Sequence, residues 1–179
     1  WLYLAPLWGE AAKLTDKLLN LVKQQRIKVV INPSLDQLRL KNSQQILSQA
    51  DVLILNSDEA SFLTQVKPYQ ETKIIQCLTL KVKQVVVITK GKEGAVAFDG
   101  RFVYEIPAPR VKVVDATGAG DSFGSGFISG LIHGKGMEKS LKLAMANAIS
   151  NIQVMGANQG LLQKNDKLPE IKIKKRLFK

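Results

Sequence analysis

Residues 113–127 read Val-Val-Asp-Ala-Thr-Gly-Ala-Gly-Asp-Ser-Phe-Gly-Ser-Gly-Phe. A β-branched pair, Val113-Val114, runs into Asp115. A small-residue turn, Gly118-Ala119-Gly120, follows, and Asp121 then heads an apolar stripe of Phe123, Phe127, Ile128, Leu131 and Ile132. That spacing predicts an amphipathic helix, closed by Gly134 as its C-terminal cap. Residues this small let main-chain N–H groups face a ligand, and the helix beginning there adds the positive end of its dipole. The segment therefore predicts an anion site suited to phosphate. Two familiar phosphate motifs are excluded. The dinucleotide fingerprint G-x-G-x-x-G fails because Phe123 stands where the third glycine belongs. The stretch nearest to a P-loop, Ser129–Gly136, begins with Ser and ends Lys-Gly, so it fails as well.

Asp121 is the informative residue. A carboxylate inside an anion-binding turn repels phosphate unless it has a task there. One such task is to take a proton from an attacking hydroxyl while neighbouring N–H groups hold the transferred phosphoryl group. The other reading is a plain first-turn helix cap. The residues alone leave both open.

Working outward, three short β-branched runs stand out: Val29–Ile31, Val52–Leu55 and Val85–Ile88. Without polar alternation, they suit strands buried on both faces of a parallel sheet. Helical patterns lie between them, one carried by Leu14, Leu18, Leu19 and Val22 and another over about Ser43–Ala50. Asp99-Gly100 between two apolar runs predicts a hairpin over Gly94–Ile106. Leu141, Ala144, Met145, Ala148, Ile149 and Ile152 predict a second long helix after that of Phe123. Strand alternating with helix predicts an α/β layered fold with a mostly parallel sheet covered by helices.

Composition narrows the class. The chain has 179 residues, which at ~150 per domain implies one domain. With 45% hydrophobic and 23% charged residues, it reads as globular rather than disordered. No apolar run approaches the ~18 residues of a membrane helix, so no membrane partner is expected. The opening WLYLAPLWGE has neither a basic leader nor a small-residue cleavage site. A single cysteine, Cys77, precludes an internal disulfide framework or a thiolate zinc cluster and fits a reducing cytosol, hence a cytoplasmic expectation. The net charge is +11, from 26 basic and 15 acidic residues. No aromatic residues interleave with a basic cluster, so no nucleic-acid partner is expected. The dense run Lys172, Lys174, Lys175, Arg176 and Lys179 reads as a solvated basic tail over residues 166–179.

Asp115-Ala-Thr-Gly-Ala-Gly-Asp-Ser-Phe123, followed by Gly124, Gly126 and Gly130, resembles the C-terminal signature of the ribokinase-like (PfkB) carbohydrate kinase family. Two further segments agree in order and spacing. Asn56-Ser-Asp-Glu59 resembles that family's N-x-x-E motif, and Thr89-Lys90-Gly91-Lys92-Glu93-Gly94 resembles its T-x-G-x-x-G nucleotide turn. The resemblance runs to about Leu162 and assigns residues 1–165 to the C-terminal part of such a kinase domain.

The resemblance implies a three-layer ribokinase-like fold and transfer of the ATP γ-phosphoryl group to an alcohol of a sugar or nucleoside. It makes Asp121 the general base and Gly118, Ala119 and Gly120 the anion hole. Asn56 and Glu59 would position Mg²⁺ and its waters, and residues 89–94 would wrap the nucleotide. Asn147 would lie beside the adenine. Asp115 and Thr117 match positions that bind a monovalent cation, usually K⁺, whose other ligands would be carbonyls near Gln153–Ala157. Purely structural roles also suit several residues: Asn56 and Glu59 as a helix cap, Asn147 as a satisfied interior amide, and His133 as a helix-end partner. Family members carry an N-terminal portion with substrate contacts and a β lid that is not found here, so the chain is expected to lack those strands and that lid. The sheet edge this would expose allows a homodimer. A nucleotide-binding remnant without turnover is the alternative function.

Overall fold

The computed structural model describes residues 1–22, 25–82 and 84–178; Lys179, counted in the basic tail above, lies outside them. Seven strands form one sheet in which each neighbours the next in chain order: β1 (Leu2–Leu4), β2 (Val29–Ile31), β3 (Val52–Asn56), β4 (Val85–Thr89), β5 (Ala95–Phe98), β6 (Phe102–Ile106) and β7 (Lys174–Leu177). The chain divides into two compact units.

The first unit comprises Trp1–Thr89 and Ala97–Phe102. The pairs β1–β2, β2–β3 and β3–β4 are all parallel. Each parallel pair needs a crossover, and the intervening segments supply it as helices: α1 (Thr15–Val22), α2 (Leu35–Leu38), α3 (Ser43–Leu47), α4 (Ser57–Thr64) and α5 (Glu71–Thr79). The runs picked out by β-branching are the central strands, and Val30, Ile31, Leu53, Leu55 and Val87 are wholly buried. Helices α4 and α5 pack on β3 and β4, and consecutive residues of these strands are buried, as unalternated apolar runs require. Two helix expectations shift. Leu14 ends a 3-10 turn, Gly9–Leu14, and is exposed, while Leu19 alone of its predicted stripe is fully buried. The helix expected over Ser43–Ala50 stops at Leu47 and continues only as a turn. Asp99-Gly100 does reverse the chain: Asp99 Oδ1 accepts from the N–H groups of Arg101 (3.0 Å) and Phe102 (2.7 Å), with Gly100 at φ +93°.

The second unit comprises Lys90–Val96 and Val103–Lys179. Its frame is a pair of long helices, α6 (Ala119–Ile132) and α7 (Gly136–Ile152). They approach closely because α6 presents glycine where α7 crosses. A Cβ on Gly130 would lie 2.6 Å from the Ser140 Cα, and one on Gly126 would lie 3.0 Å from the Ala144 Cα. Helix α6 ends in a Schellman motif in which Gly134 N–H donates to Leu131 O and Lys135 N–H to Gly130 O, each at 3.0 Å. The tail departs from expectation. Rather than a solvated segment, it buries Ile171 and then forms β7, whose residues are exposed at the sheet margin. Arg176 Nε donates to Glu105 Oε1 at 3.2 Å, and the Lys175 ammonium lies 5.2 Å from the Tyr104 ring centre. Contacts to an acid and an aromatic ring give these basic residues a reason to order that charge counting could not reveal.

Candidate active site

The phosphate-type turn is built as its sequence suggests, with one redistribution. Val114 and Asp115 N–H groups donate to Ile152 O at 2.8 and 3.2 Å, fastening the segment to the end of α7. Asp115 Oδ1 accepts from Thr117 N–H and Oδ2 from Gly156 N–H, each at 2.9 Å. Hydrogen bonds from the Thr117 hydroxyl, then from the two main-chain N–H groups, hold the Asp115 carboxyl below its ordinary value. Gly118 sits at φ +84°, and a Cβ there would lie 2.4 Å from Ala157 O, so both conformation and space demand glycine. Helix α6 closes its first turn with Ser122 N–H donating to Gly118 O at 2.8 Å.

The open donors are not quite those expected. Ala119 N–H donates to Ala116 O at 3.3 Å, within the turn. Gly118, Gly120 and Asp121 N–H groups find no hydrogen-bond partner among the described residues. These three donors, at the positive end of a 14-residue helix, can receive an anion. Asp121 is exposed in the first turn, and its carboxylate makes no capping bond. The plain cap reading therefore lacks the hydrogen bond it needs.

Beside this turn lies a cavity of about 400 Å³. Ala116 and Ala119 of the turn, Val111 and Val113 before it, and Met145 and Ile149 of α7 give it apolar walls. Its size falls in the range of small-molecule sites. Gly91 and Lys92 line it, whereas Lys90 and Glu93 line a different cavity of about 310 Å³ with Glu105, Lys172 and Lys174. The loop 90–94 thus sends its expected nucleotide residues in two directions. It is closed by its own bonds, Lys90 N–H to Gly94 O at 2.7 Å and Gly94 N–H to Gly91 O at 3.0 Å. Gly94 has a packing role, since a Cβ there would lie 2.0 Å from Ile106 O. Arg110 also lines the apolar cavity, and sequence reasoning missed it because no motif marks an isolated arginine in a Pro-rich connection.

Asn147 does not line this cavity; α7 presents Met145, Ala148, Ile149 and Ile152 to it instead. The Asn147 amide is engaged internally. Nδ2 donates to Ser122 O at 2.8 Å, and Oδ1 accepts from Leu162 N–H at 2.9 Å. These bonds make it a buried clamp between α6 and the chain at Leu162, the interior-amide role that stood beside its expected place at the adenine. His133 Nδ1 lies 2.7 Å from Ser129 O, the helix-end role anticipated for it.

In the first unit, Asn56 and Thr89 are partners across the β3–β4 ladder. Asn56 caps α4 in a reciprocal box: Glu59 N–H donates to Asn56 Oδ1 at 2.9 Å, and Asn56 N–H donates to Glu59 Oε2 at 2.8 Å. Burial pushes the Glu59 carboxyl up, Asn56 N–H pulls it down, and the neighbouring Asp58 raises it further. Glu59 Oε1 takes no part in the box, so the cap role does not exhaust the carboxylate. Thr89 Oγ1 donates to Leu55 O at 3.4 Å, a long bond that leaves the hydroxyl weakly held.

Among the described residues, no three His, Cys, Asp or Glu side chains are grouped to hold a metal. A divalent ion carried on substrate phosphates asks the protein for only one carboxylate and some waters, the usual habit of Mg²⁺. The K⁺ expectation fits less well. Both Asp115 oxygens already hold N–H groups. The carbonyls of Gly156, Ala157 and Gln159 face the fully buried Asn151, whose Nδ2 lies 3.4, 3.1 and 2.9 Å from them. Asn151 thus sits where those carbonyls converge. No helix among the described residues is long and apolar enough to cross a membrane.

The pattern of the pfkB family carbohydrate kinases matches residues 5–164. The chain is 32% identical over 139 residues to the cytidine kinase of Thermococcus kodakarensis, covering 74% of this chain and 49% of that protein. It is 32% identical over 152 residues to the ribokinase of Lactococcus lactis, covering 85% and 46%. The structure of Arabidopsis thaliana ribokinase complexed with ribose and ATP superposes with a TM-score of 0.71 at 28% identity, over 84% of this chain and 49% of that one. The chain spans about half the length of the curated relatives it matches.

Proposed function

The chain belongs to the pfkB family of carbohydrate kinases, and we propose on that basis that it supplies the nucleotide-binding and base-bearing part of an ATP-dependent phosphotransferase acting on an alcohol of a sugar or nucleoside. The observation that carries this reading is the first turn of α6. There, three unpartnered N–H groups and an uncommitted Asp121 carboxylate sit beside an apolar cavity that shares Ala119 with the turn.

The chemistry follows from that arrangement. The nucleoside of ATP enters the apolar cavity, and its phosphates extend toward the positive end of α6. Gly118, Gly120 and Asp121 N–H groups stabilise charge on the transferred phosphoryl oxygens, at about 3–4 kcal/mol per donor if they act like other oxyanion donors. Asp121 accepts the proton of the attacking hydroxyl, whose oxygen forms the new bond to phosphorus as the bond to the ADP oxygen breaks. Bound with the phosphates, Mg²⁺ would supply neutralisation of their charge. Glu59, through Oε1, is the carboxylate proposed to hold its waters. Thr89 is proposed to assist at the nucleotide. No step is routed through K⁺, because the Asp115 oxygens and the Gly156 and Ala157 carbonyls already carry N–H donors.

The test is phosphoryl transfer from ATP to a panel including ribose and cytidine, with ATP affinity measured in parallel. Asp121→Asn is expected to lower turnover at least ~100-fold while leaving ATP affinity nearly unchanged. Full turnover by that variant would refute the assignment of the base. ATP binding without turnover on any acceptor would instead favour a nucleotide-binding remnant.

A further inference from the structure

The apolar cavity poses a question that the phosphate turn does not, namely which base it accepts. The residues lining it are Gly91, Lys92 and Arg110 together with ten Ala, Pro, Val, Met and Ile positions. None is Asp, Glu, Asn, Gln, Ser, Thr, Tyr or His, so the weakly accepting Met145 sulfur is the one side-chain acceptor among the lining residues. Adenine and guanine differ at position 6, where adenine carries an amino donor and guanine a carbonyl acceptor, so holding adenine by that edge requires an acceptor. Guanine instead presents two adjacent acceptors, O6 and N7, which the fork of an arginine matches in bidentate fashion. Of the main-chain carbonyls around the cavity, that of Ile152 is already occupied by Val114 and Asp115 N–H groups. Arg110 is exposed and makes no hydrogen bond or ion pair among the described residues, so its guanidinium is available to a ligand.

We infer that Arg110 is the base-selecting residue of this cavity and that the site accepts a guanine nucleotide at least as readily as an adenine one. This rests on the nucleotide reading proposed above and extends it to a purine nucleoside triphosphate of either kind. Apolar walls alone discriminate weakly between rings of similar shape, whereas a directed hydrogen-bonding pair discriminates strongly.

The experiment is calorimetric titration of the chain with Mg²⁺ complexes of non-hydrolysable ATP and GTP analogues. The GTP analogue is expected to bind within about threefold of the ATP analogue, or more tightly. Arg110→Ala should weaken the GTP analogue at least about fivefold more than the ATP analogue. Arg110→Lys, which keeps the charge and loses the fork, should behave like Arg110→Ala toward GTP. A preference of about 30-fold or more for the ATP analogue would overturn the inference. Equal losses of both nucleotides in Arg110→Ala would also overturn it, marking Arg110 as a phosphate contact. Failure of both nucleotides to bind at millimolar concentration would sink the nucleotide reading itself. Tight ATP binding with exclusion of GTP sinks only the inference.

Discussion

Asn147→Ala separates a nucleotide contact from an interior clamp. The side chain is 8% exposed and joins three segments: Ser122 O in α6, its own helix α7, and Leu162 N–H in the chain beyond. Alanine removes two well-formed bonds, at 2.8 and 2.9 Å, and a marginal one to Ser125 Oγ at 3.4 Å. Ser122 O keeps the Ser125 hydroxyl at 3.1 Å, so it is not orphaned. Leu162 N–H is half-buried and loses its acceptor. Two bonds at about 1 kcal/mol each, with a small further term for the vacated volume, give a destabilisation of about 2–3 kcal/mol. For a chain of this size that is a fall of roughly 4–10 °C in Tm. Urea and thermal unfolding followed by circular dichroism measure the loss, and titration below the transition measures ATP affinity. Stability should fall while ATP affinity stays within about twofold, because Asn147 does not line the apolar cavity. Asn147→Asp, which sets a carboxylate against the Ser122 carbonyl, should destabilise more than alanine. Unchanged stability with a tenfold or greater loss of ATP affinity would refute the reasoning and restore the nucleotide role.

Glu59→Gln keeps the capping box but cannot ionise. Burial raises the native Glu59 carboxyl above 4.5, so its contribution to stability is present below that value and is lost as pH rises through the native one. The Gln variant should therefore gain on the wild type as pH rises from 4 to 8, read as urea midpoints, and parallel curves would count against the burial argument. Weaker Mg²⁺ dependence of ATP binding in the same variant would support Glu59 as the carboxylate that holds the metal's waters. Asp115 is the opposite case. Its lowered native value means stability that is present above 3.8 and lost as pH falls through the native value, so Asp115→Asn should flatten the acid limb of the unfolding profile. Gly91→Ala and Gly94→Ala should differ sharply. Gly91 has φ +53° and open space, costing about 1–2 kcal/mol, whereas a Cβ on Gly94 meets Ile106 O at 2.0 Å and should prevent the loop from closing. Comparable Tm values for the two variants would contradict that geometry.

Short-range chemistry was legible from residues alone. β-branched runs marked β2, β3 and β4 because double burial removes polar alternation. Asp99-Gly100 marked its turn because few residues tolerate that backbone. Gly118 and the first turn of α6 were readable because the helix start, the small residues and the acid all lie within nine positions. What stayed hidden depends on residues far apart in the chain. The ordering of the basic tail needed Glu105 and Tyr104, about seventy positions away. Arg110 became a candidate only when loop 90–94, the 108–113 connection and α7 closed one cavity. The internal hydrogen bonds of Asn147 depend on which face of α7 it occupies and on the return of Leu162 N–H to meet it. Sequence alone thus determined the local geometry of the small-residue turn and the placing of Asp121 in the first turn of α6, through steric and dipolar constraints acting over a few residues. Tertiary structure decided which polar groups remain free to act, because a hydrogen bond or a packed neighbour is assigned only when distant segments meet.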